Sequence, residues 1–255
     1  HRDLHSFPTR RSSDLMASRE VDFRVSLLPT TFGQKVVIRV LDKTSLASGL
    51  DGLNFSSGPA QCLKDAIARP FGMILVTGPT GSGKSTTLYS IVNQLNTVDK
   101  NIITVEDPVE YLIDGLTQIQ VRPDIGLTFA SGLRSILRQS PDVVMLGEIR
   151  DSETADIAIK ASLTGQLVLS TLHTNDASGA LTRLVDMGVE SFLVASSVIA
   201  ICAQRLCRTI CPKCKEPVDI PEKILKDFKN KIKPGMTFFA GKGCDFCRHT
   251  GYYGR

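Results

Sequence analysis

The sequence contains no apolar run approaching the roughly 20 residues that a membrane-spanning helix needs, which excludes a chain built on such helices. No secretory signal opens it and no internal repeat runs through it. The formal net charge is only +4, too small to call for nucleic acid by itself. Aromatic residues make up 6% and tryptophan is absent, and the basic C-terminal stretch lacks the groove interleaved with aromatics that strand binding requires. Histidine is scarce at four, and two of these, His1 and His5, lie in a stretch best set aside. Phe7 to Leu15 resembles the translation of a common sequencing adapter and has no apolar periodicity. Residues 1–15 are therefore expected to be a non-native leader, with the natural N-terminus missing and Met16 not required to be a start.

What is present is enough for one large domain with a core and a small appendage. Val21, Phe23, Val25 and Leu27 alternate with polar residues, a half-buried strand pattern, and Lys35 to Leu41 is a second β-rich run after the loop Leu28 to Gly33. These two strands read as the remnant of an N-terminal α+β domain that, with its linker, occupies residues 16–48. Ser45 to Pro59, rich in Gly and Ser, reads as a linker or irregular entry. An alternating pattern follows over residues 49–209. Strands are expected at Met73–Val76, Ile102–Val105, Asp142–Leu146 and Leu167–Leu169. Helices are expected at about Lys84–Leu95, Phe129–Arg138 and Ser152–Leu163, with another after Thr174-Asn175-Asp176. Such alternation predicts an α/β fold with a mostly parallel sheet and helices on both faces.

Gly78-Pro79-Thr80-Gly81-Ser82-Gly83-Lys84-Ser85 fits the phosphate-loop pattern in full, after an apolar strand and at the start of a helix that continues through Thr86. Its glycines let successive backbone N–H groups face one point, and the helix N-terminus adds its positive end. Lys84 is expected to reach the β- and γ-phosphates of ATP, and the Ser85 hydroxyl to bind Mg²⁺. A Gly-rich turn with a chance lysine is the weaker reading. Such a loop needs carboxylates on neighbouring strands to hold Mg²⁺ and orient water. Two acidic clusters end strands: Glu106-Asp107-Pro108-Val109-Glu110, and Glu148-Ile149-Arg150-Asp151. Each alone reads as a solvated loop; together, downstream of a phosphate loop, they become metal and water ligands.

Seven cysteines are present, and a cytosolic chain should not join them as structural disulfides. Cys211-Pro-Lys-Cys214 and Cys244-Asp-Phe-Cys247 are two C-x-x-C knuckles, a tetrathiolate pattern for structural Zn²⁺. The long spacer between them is expected to hold a helix at about Pro221 to Asn230. The segment from Arg208 to Arg255 has 11 Lys and Arg against 5 Asp and Glu, which would partly offset the charge of four thiolates. Residues 210–255 thus read as a small zinc module, stopping short of a normal end. Cys62, Cys202 and Cys207 read as buried apolar residues.

From about Val21 to Cys247 the chain resembles the secretion ATPases of the GspE and PilB type. The resemblance rests on the phosphate loop, on Ile103 to Tyr111, on Leu137 to Asp151 and on Ser170 to Asp176, in family order. It implies a RecA-like P-loop NTPase core and a cytoplasmic ATPase, peripheral to the inner membrane. Such a motor works as a homohexamer by domain rotation, on inner-membrane platform and recruiting proteins of type II secretion or type IV pilus assembly, with no nucleic acid. The resemblance also implies that Glu106 activates water, that Glu148 is the Walker B carboxylate near Mg²⁺, and that His173 links the nucleotide site to subunit motion. It further implies that Arg24 and Arg39 reach across to the phosphates when domains close. Arg39 stands between Ile38 and Val40 on the face of Val37 and Leu41, where an unpaired arginine is expected to be costly. Gln166 stands where the family often has His, and Ser140 where many relatives have Asp.

Two other classes fit parts of the pattern. A nucleoside monophosphate kinase pairs a phosphate loop with a zinc-clamped lid, but its lid is inserted within the core. A DNA-handling motor would explain the basic tail.

Overall fold

Apolar residues on both faces of the same short strands make the central sheet, and the helices that cover it follow. The computed structural model describes residues 10–16, 19–42, 49–221 and 236–255. The chain divides into two compact units, residues 1–204 and 205–255.

In the first unit, β1 (Arg10–Met16), β2 (Arg19–Thr30) and β3 (Gly33–Asp42) form an antiparallel sheet in that order. The stretch expected to be leader thus contributes a strand, with Arg10 opposite Val25 and Met16 opposite Arg19. β2 and β3 are joined by a tight turn, with Thr30 opposite Gly33. Cross-strand partners share a face. Phe23 with Val40, Val25 with Ile38 and Leu27 with Val36 therefore make one apolar face, and Arg24 opposite Arg39 lies on the other.

Next come α1 (Ser57–Ile67), β4 (Gly72–Thr77), α2 (Lys84–Leu95), β5 (Ile102–Glu106), β6 (Thr117–Gln120) and α3 (Phe129–Ile136). β7 (Val143–Leu146), α4 (Ser152–Leu163), β8 (Leu167–Leu172), α5 (Ala177–Asp186), α6 (Ser191–Ser197) and β9 (Val198–Ala203) follow. The six strands lie in the order β6-β5-β7-β8-β4-β9, and every pairing is parallel. The alternation along each strand sorts the core into two layers. Met73, Leu75, Val105, Val144, Leu146 and Val168 pack with residues of α3, α4, α5 and α6. Ile74, Val76, Ile102, Met145 and Leu169 pack with α1 and α2. β4, β7 and β8 are buried throughout, as parallel strands covered on both faces must be.

The expected core elements are found, with strand β8 longer than read and α3 ending in a 3-10 turn over Leu137–Gln139. The expected linker instead runs into α1, whose apolar stripe Leu63, Ala66 and Ile67 is buried. Asp151 and Asp176 cap α4 and α5 through their side chains.

The second unit pairs β10 (Lys215–Val218) with β11 (Phe238–Gly241) antiparallel. The helix expected in the spacer lies outside the described residues. Cys62 and Cys207 are exposed and Cys202 is half-buried, so the expectation that all three are buried is corrected. Cys62 falls off the apolar stripe of α1, and Cys207 lies in a segment with no regular structure that could bury it.

Candidate active site

The phosphate loop leaves β4 at Thr77 and enters α2 at Lys84. Gly81 and Gly83 adopt positive φ of 77° and 89°, a conformation that strains any residue with a side chain. Lys84 is buried, and its ammonium donates to the carbonyls of Gly78 at 2.9 Å and Pro79 at 3.2 Å. Ser82 is buried, and among the described residues its hydroxyl finds no hydrogen-bond partner. An orphaned buried hydroxyl inside a Gly-rich loop that opens a helix suits a polar ligand.

Thr77 ties the loop to the end of β8. Its hydroxyl lies 2.6 Å from both the carbonyl and the hydroxyl oxygen of Thr174, and accepts the Thr174 N–H at 3.1 Å. His173 is thereby held beside the loop that precedes α5, and its Nε2 lies 2.7 Å from Glu148 Oε2. Glu148 follows β7, and its other oxygen accepts a bond from Arg150, which also approaches Asp107 at 3.5 Å. Burial works to raise the Glu148 carboxyl, but Arg150 and His173 outweigh it and hold the group below the usual range.

Glu106 ends β5 and is 3% exposed. Its Oε1 accepts from Thr104 Oγ1 at 2.6 Å and Gln118 Nε2 at 3.2 Å, and its Oε2 accepts from the Tyr89 hydroxyl. A cavity of about 50 Å³ opens beside it, lined in part by Ser85, Asp107 and Glu110. Lys84, Ser85, Glu106, Glu148 and His173 thus stand at the carboxyl ends of four adjacent strands, β5, β7, β8 and β4. This is the edge at which parallel α/β sheets bind ligands.

A sequence profile of the family described as Type II/IV secretion system protein matches residues 8–255. The chain belongs to this family. It is 54% identical over 245 residues to Type II secretion system ATPase E of Vibrio cholerae serotype O1, covering 96% of this chain and 49% of that protein. It is 54% identical over 241 residues to Type IV pilus assembly ATPase PilB of Myxococcus xanthus, covering 93% of this chain and 42% of that one. The chain therefore spans about half the length of these curated relatives. Among solved structures, the pilus retraction motor PilT with bound ADP matches with a TM-score of 0.64 at 28% identity, covering 91% of this chain and 62% of that one. The ATPase DotB of Legionella pneumophila gives 0.57 at 28%, covering 74% and 53%. The core has the P-loop arrangement of this family, with one strand, β8, between the phosphate-loop strand and the strand leading to Glu148.

Arg24 and Arg39 are carried on the separate antiparallel sheet. Arg39 is exposed, as is its neighbour Val37, so the expected cost of a buried unpaired arginine does not arise. Arg24 is half-buried. The sequence reading gave no role to Tyr89, Thr104, Gln118 or Arg150. A tyrosine on a buried helix face is itself a signal, because its hydroxyl needs a partner.

In the second unit, the sulfurs of Cys211, Cys214, Cys244 and Cys247 all lie within 4.8 Å of one another. Cys211 and Cys244 are 3.9 Å apart, Cys214 and Cys247 3.8 Å, and Cys244 and Cys247 3.8 Å. A tetrahedron with Zn–S bonds of about 2.3 Å has edges of about 3.8 Å. The Gly243 N–H donates to Cys214, and those of Cys244 and Gly251 to Cys247, each at 3.3 Å. Gly241 and Gly251 pass so closely that a Cβ on Gly241 would meet the Gly251 carbonyl oxygen at 1.9 Å. The cluster can hold a metal ion.

Proposed function

We propose that this chain is the catalytic part of an ATPase motor that powers type II secretion or type IV pilus assembly. The observation that carries this reading is the convergence of Lys84, Ser85, Glu106, Glu148 and His173 on four adjacent strand ends. The names of the relatives support the choice of system.

Lys84, which donates to its own loop's carbonyls, turns to the β- and γ-phosphate oxygens of ATP, joined by the loop amides and the N-terminus of α2. Ser85 and Glu148 supply hard oxygen ligands suited to Mg²⁺, which when bound neutralises charge on the phosphates. Glu106 takes a proton from the attacking water. The water oxygen bonds to the γ-phosphorus as the bond to the bridging β-phosphate oxygen breaks, releasing ADP and phosphate. His173, bonded to Glu148, passes the state of this carboxylate to the loop before α5. Arg24 and Arg39 complete the charge around the phosphates when their sheet closes on the core.

The motor assembles as a homohexamer whose subunits rotate their domains in turn, in the cytoplasm against an inner-membrane platform protein. The cysteine cluster holds one structural Zn²⁺. A lid-bearing kinase is disfavoured because the cysteines lie beyond the core in sequence rather than inserted within it.

The test is ATP hydrolysis by the complete product of the gene, with no acceptor, with a nucleoside monophosphate and with DNA. Phosphate release independent of both additions is expected. Turnover that requires a nucleoside monophosphate makes the protein a kinase, and strict dependence on DNA makes it a DNA motor.

A further inference from the structure

Thr104 and Gln118 reach Glu106 from its own strand and from the neighbouring β6. Tyr89 comes from elsewhere: it lies on α2, five residues after Lys84, on the helix that the phosphate loop opens. Its ring is 2% exposed and packs edge-on against Tyr111, with centroids 5.2 Å apart and planes at 87°.

The hydroxyl makes three contacts. It accepts the backbone N–H of Glu110 at 3.1 Å and of Tyr111 at 3.2 Å, and it contacts Glu106 Oε2. A phenol has one proton and two lone pairs. Backbone amides can only donate, so both lone pairs are committed and the proton must point at Glu106. Burial first, and then the charge of Glu106, push the Tyr89 phenol well above its ordinary value, so the proton stays on oxygen. Gln118 closes the arrangement, donating to Glu106 and to the Tyr111 carbonyl at 2.9 Å while accepting the Ile113 N–H at 2.9 Å.

We propose that Tyr89 is the positioning residue for Glu106, fixing its carboxylate and the acidic loop to the helix that starts at the phosphates. This rests on the reading of Glu106 as the water-activating base. One side chain makes the base and the phosphate cradle a rigid pair. It donates to the base, and its oxygen anchors the chain three and four residues beyond Asp107. Thr104 and Gln118 hold only one oxygen of the carboxylate; Tyr89 holds the other and so sets the rotation of the plane. Geometry matters at this point because misplacement of a reacting group by about 1 Å costs on the order of 100-fold in rate.

The experiment compares Tyr89→Phe, Glu106→Gln and the double variant in the complete protein. Steady-state kcat and KM for ATP are measured, with single-turnover rates where kcat is low. Tyr89→Phe is expected to lower kcat by about 10- to 100-fold with KM within about twofold. In the Glu106→Gln background the same change is expected to have no further effect, because a residue that acts through another loses its effect when that one is gone. Parent kcat in Tyr89→Phe, or a full additive loss in the double variant, overturns the proposal. Parent kcat in Glu106→Gln instead overturns the base assignment, so the two failures are distinguishable. If Tyr89→Phe does not fold, as read by lost binding of a fluorescent ATP analogue, 4-fluorophenylalanine at position 89 replaces it. That residue keeps the ring and fills the place of the oxygen but has no proton to donate, so it is expected to lower kcat without moving KM; an unchanged kcat overturns the proposal.

Discussion

Arg24 and Arg39 stand directly opposite each other across the β2–β3 pairing, on the face away from Phe23, Val25, Ile38 and Val40. Like charges placed so oppose pairing, by roughly 0.2–1 kcal/mol. A phosphate gripped between two guanidinium forks would turn that repulsion into a shared contact. On this view the register makes the two arginines one clamp rather than two separate fingers. Alanine at either position is expected to lower turnover by about 10³-fold, as loss of an arginine finger does. ATP binding should weaken much less. Lysine should not restore the rate, because it lacks the planar fork. Steady-state ATPase on the complete protein is the measurement, and parent turnover in both alanine variants removes the clamp.

Lys84 donates to two carbonyls of its own loop and stands at the start of the helix that the phosphate loop enters. Lys84→Ala is expected to abolish hydrolysis, because charge on the β- and γ-phosphate oxygens then goes unmatched. Glu106→Gln and Glu148→Gln should each keep nucleotide binding, read by a fluorescent ATP analogue, while lowering turnover by orders of magnitude. Parent-rate hydrolysis in either glutamine variant strips that residue of its role.

His173 holds one oxygen of Glu148 and Arg150 the other. His173→Ala removes one of two groups that orient the carboxylate proposed to bind Mg²⁺. Partners of this kind are worth about 10- to 100-fold in metal affinity or activity. The expected result is a loss in that range, with the Mg²⁺ concentration for half-maximal rate moved upward. An unchanged Mg²⁺ requirement makes His173 a purely structural link between β7 and β8.

The core was legible because its signals are local and redundant. The apolar runs at Met73–Val76 and Val143–Leu146 have the length and the bounding residues expected of buried strands, and the phosphate loop fixes where α2 starts. Helix α1 was hidden by the Gly and Ser around Gly58, which read as linker although the stripe Leu63, Ala66 and Ile67 has helical spacing. Strand β6, Thr-Gln-Ile-Gln, carries one apolar residue and is a strand only because β5 offers it an edge. Lys84 is a candidate from motif position and Glu106 and Glu148 from the family resemblance, and the fold brings all three to adjacent strand ends. Tyr89 could not be found in either way, because its role depends on where the Glu110 and Tyr111 amides come to rest 21 and 22 residues later. The burial inferred for Arg39 failed because alternation shows which residues share a face but not whether anything covers that face.

The cysteine cluster gives the last expectation. Its sulfur spacings suit a tetrahedral ion, and three backbone N–H groups point at two of the sulfurs. Zinc binds the sulfurs as thiolates and a metal-free cluster takes protons instead, so the unit is expected to depend on the metal for its fold. Metal analysis of purified protein is expected to give one zinc per chain. Chelation should raise amide hydrogen exchange across Cys211–Cys214 and Cys244–Cys247, where backbone bonds such as Cys211 N–H to the Gly251 carbonyl close the knuckles. Cys211→Ser should do the same, since it removes one soft ligand from a buried position. Binding of an ATP analogue should be spared by both, because the phosphate loop is built from residues 78–85 and its supports from β4, β8 and α2. A zinc-free preparation with full exchange protection across both knuckles would show that the cluster is held by packing and hydrogen bonds alone.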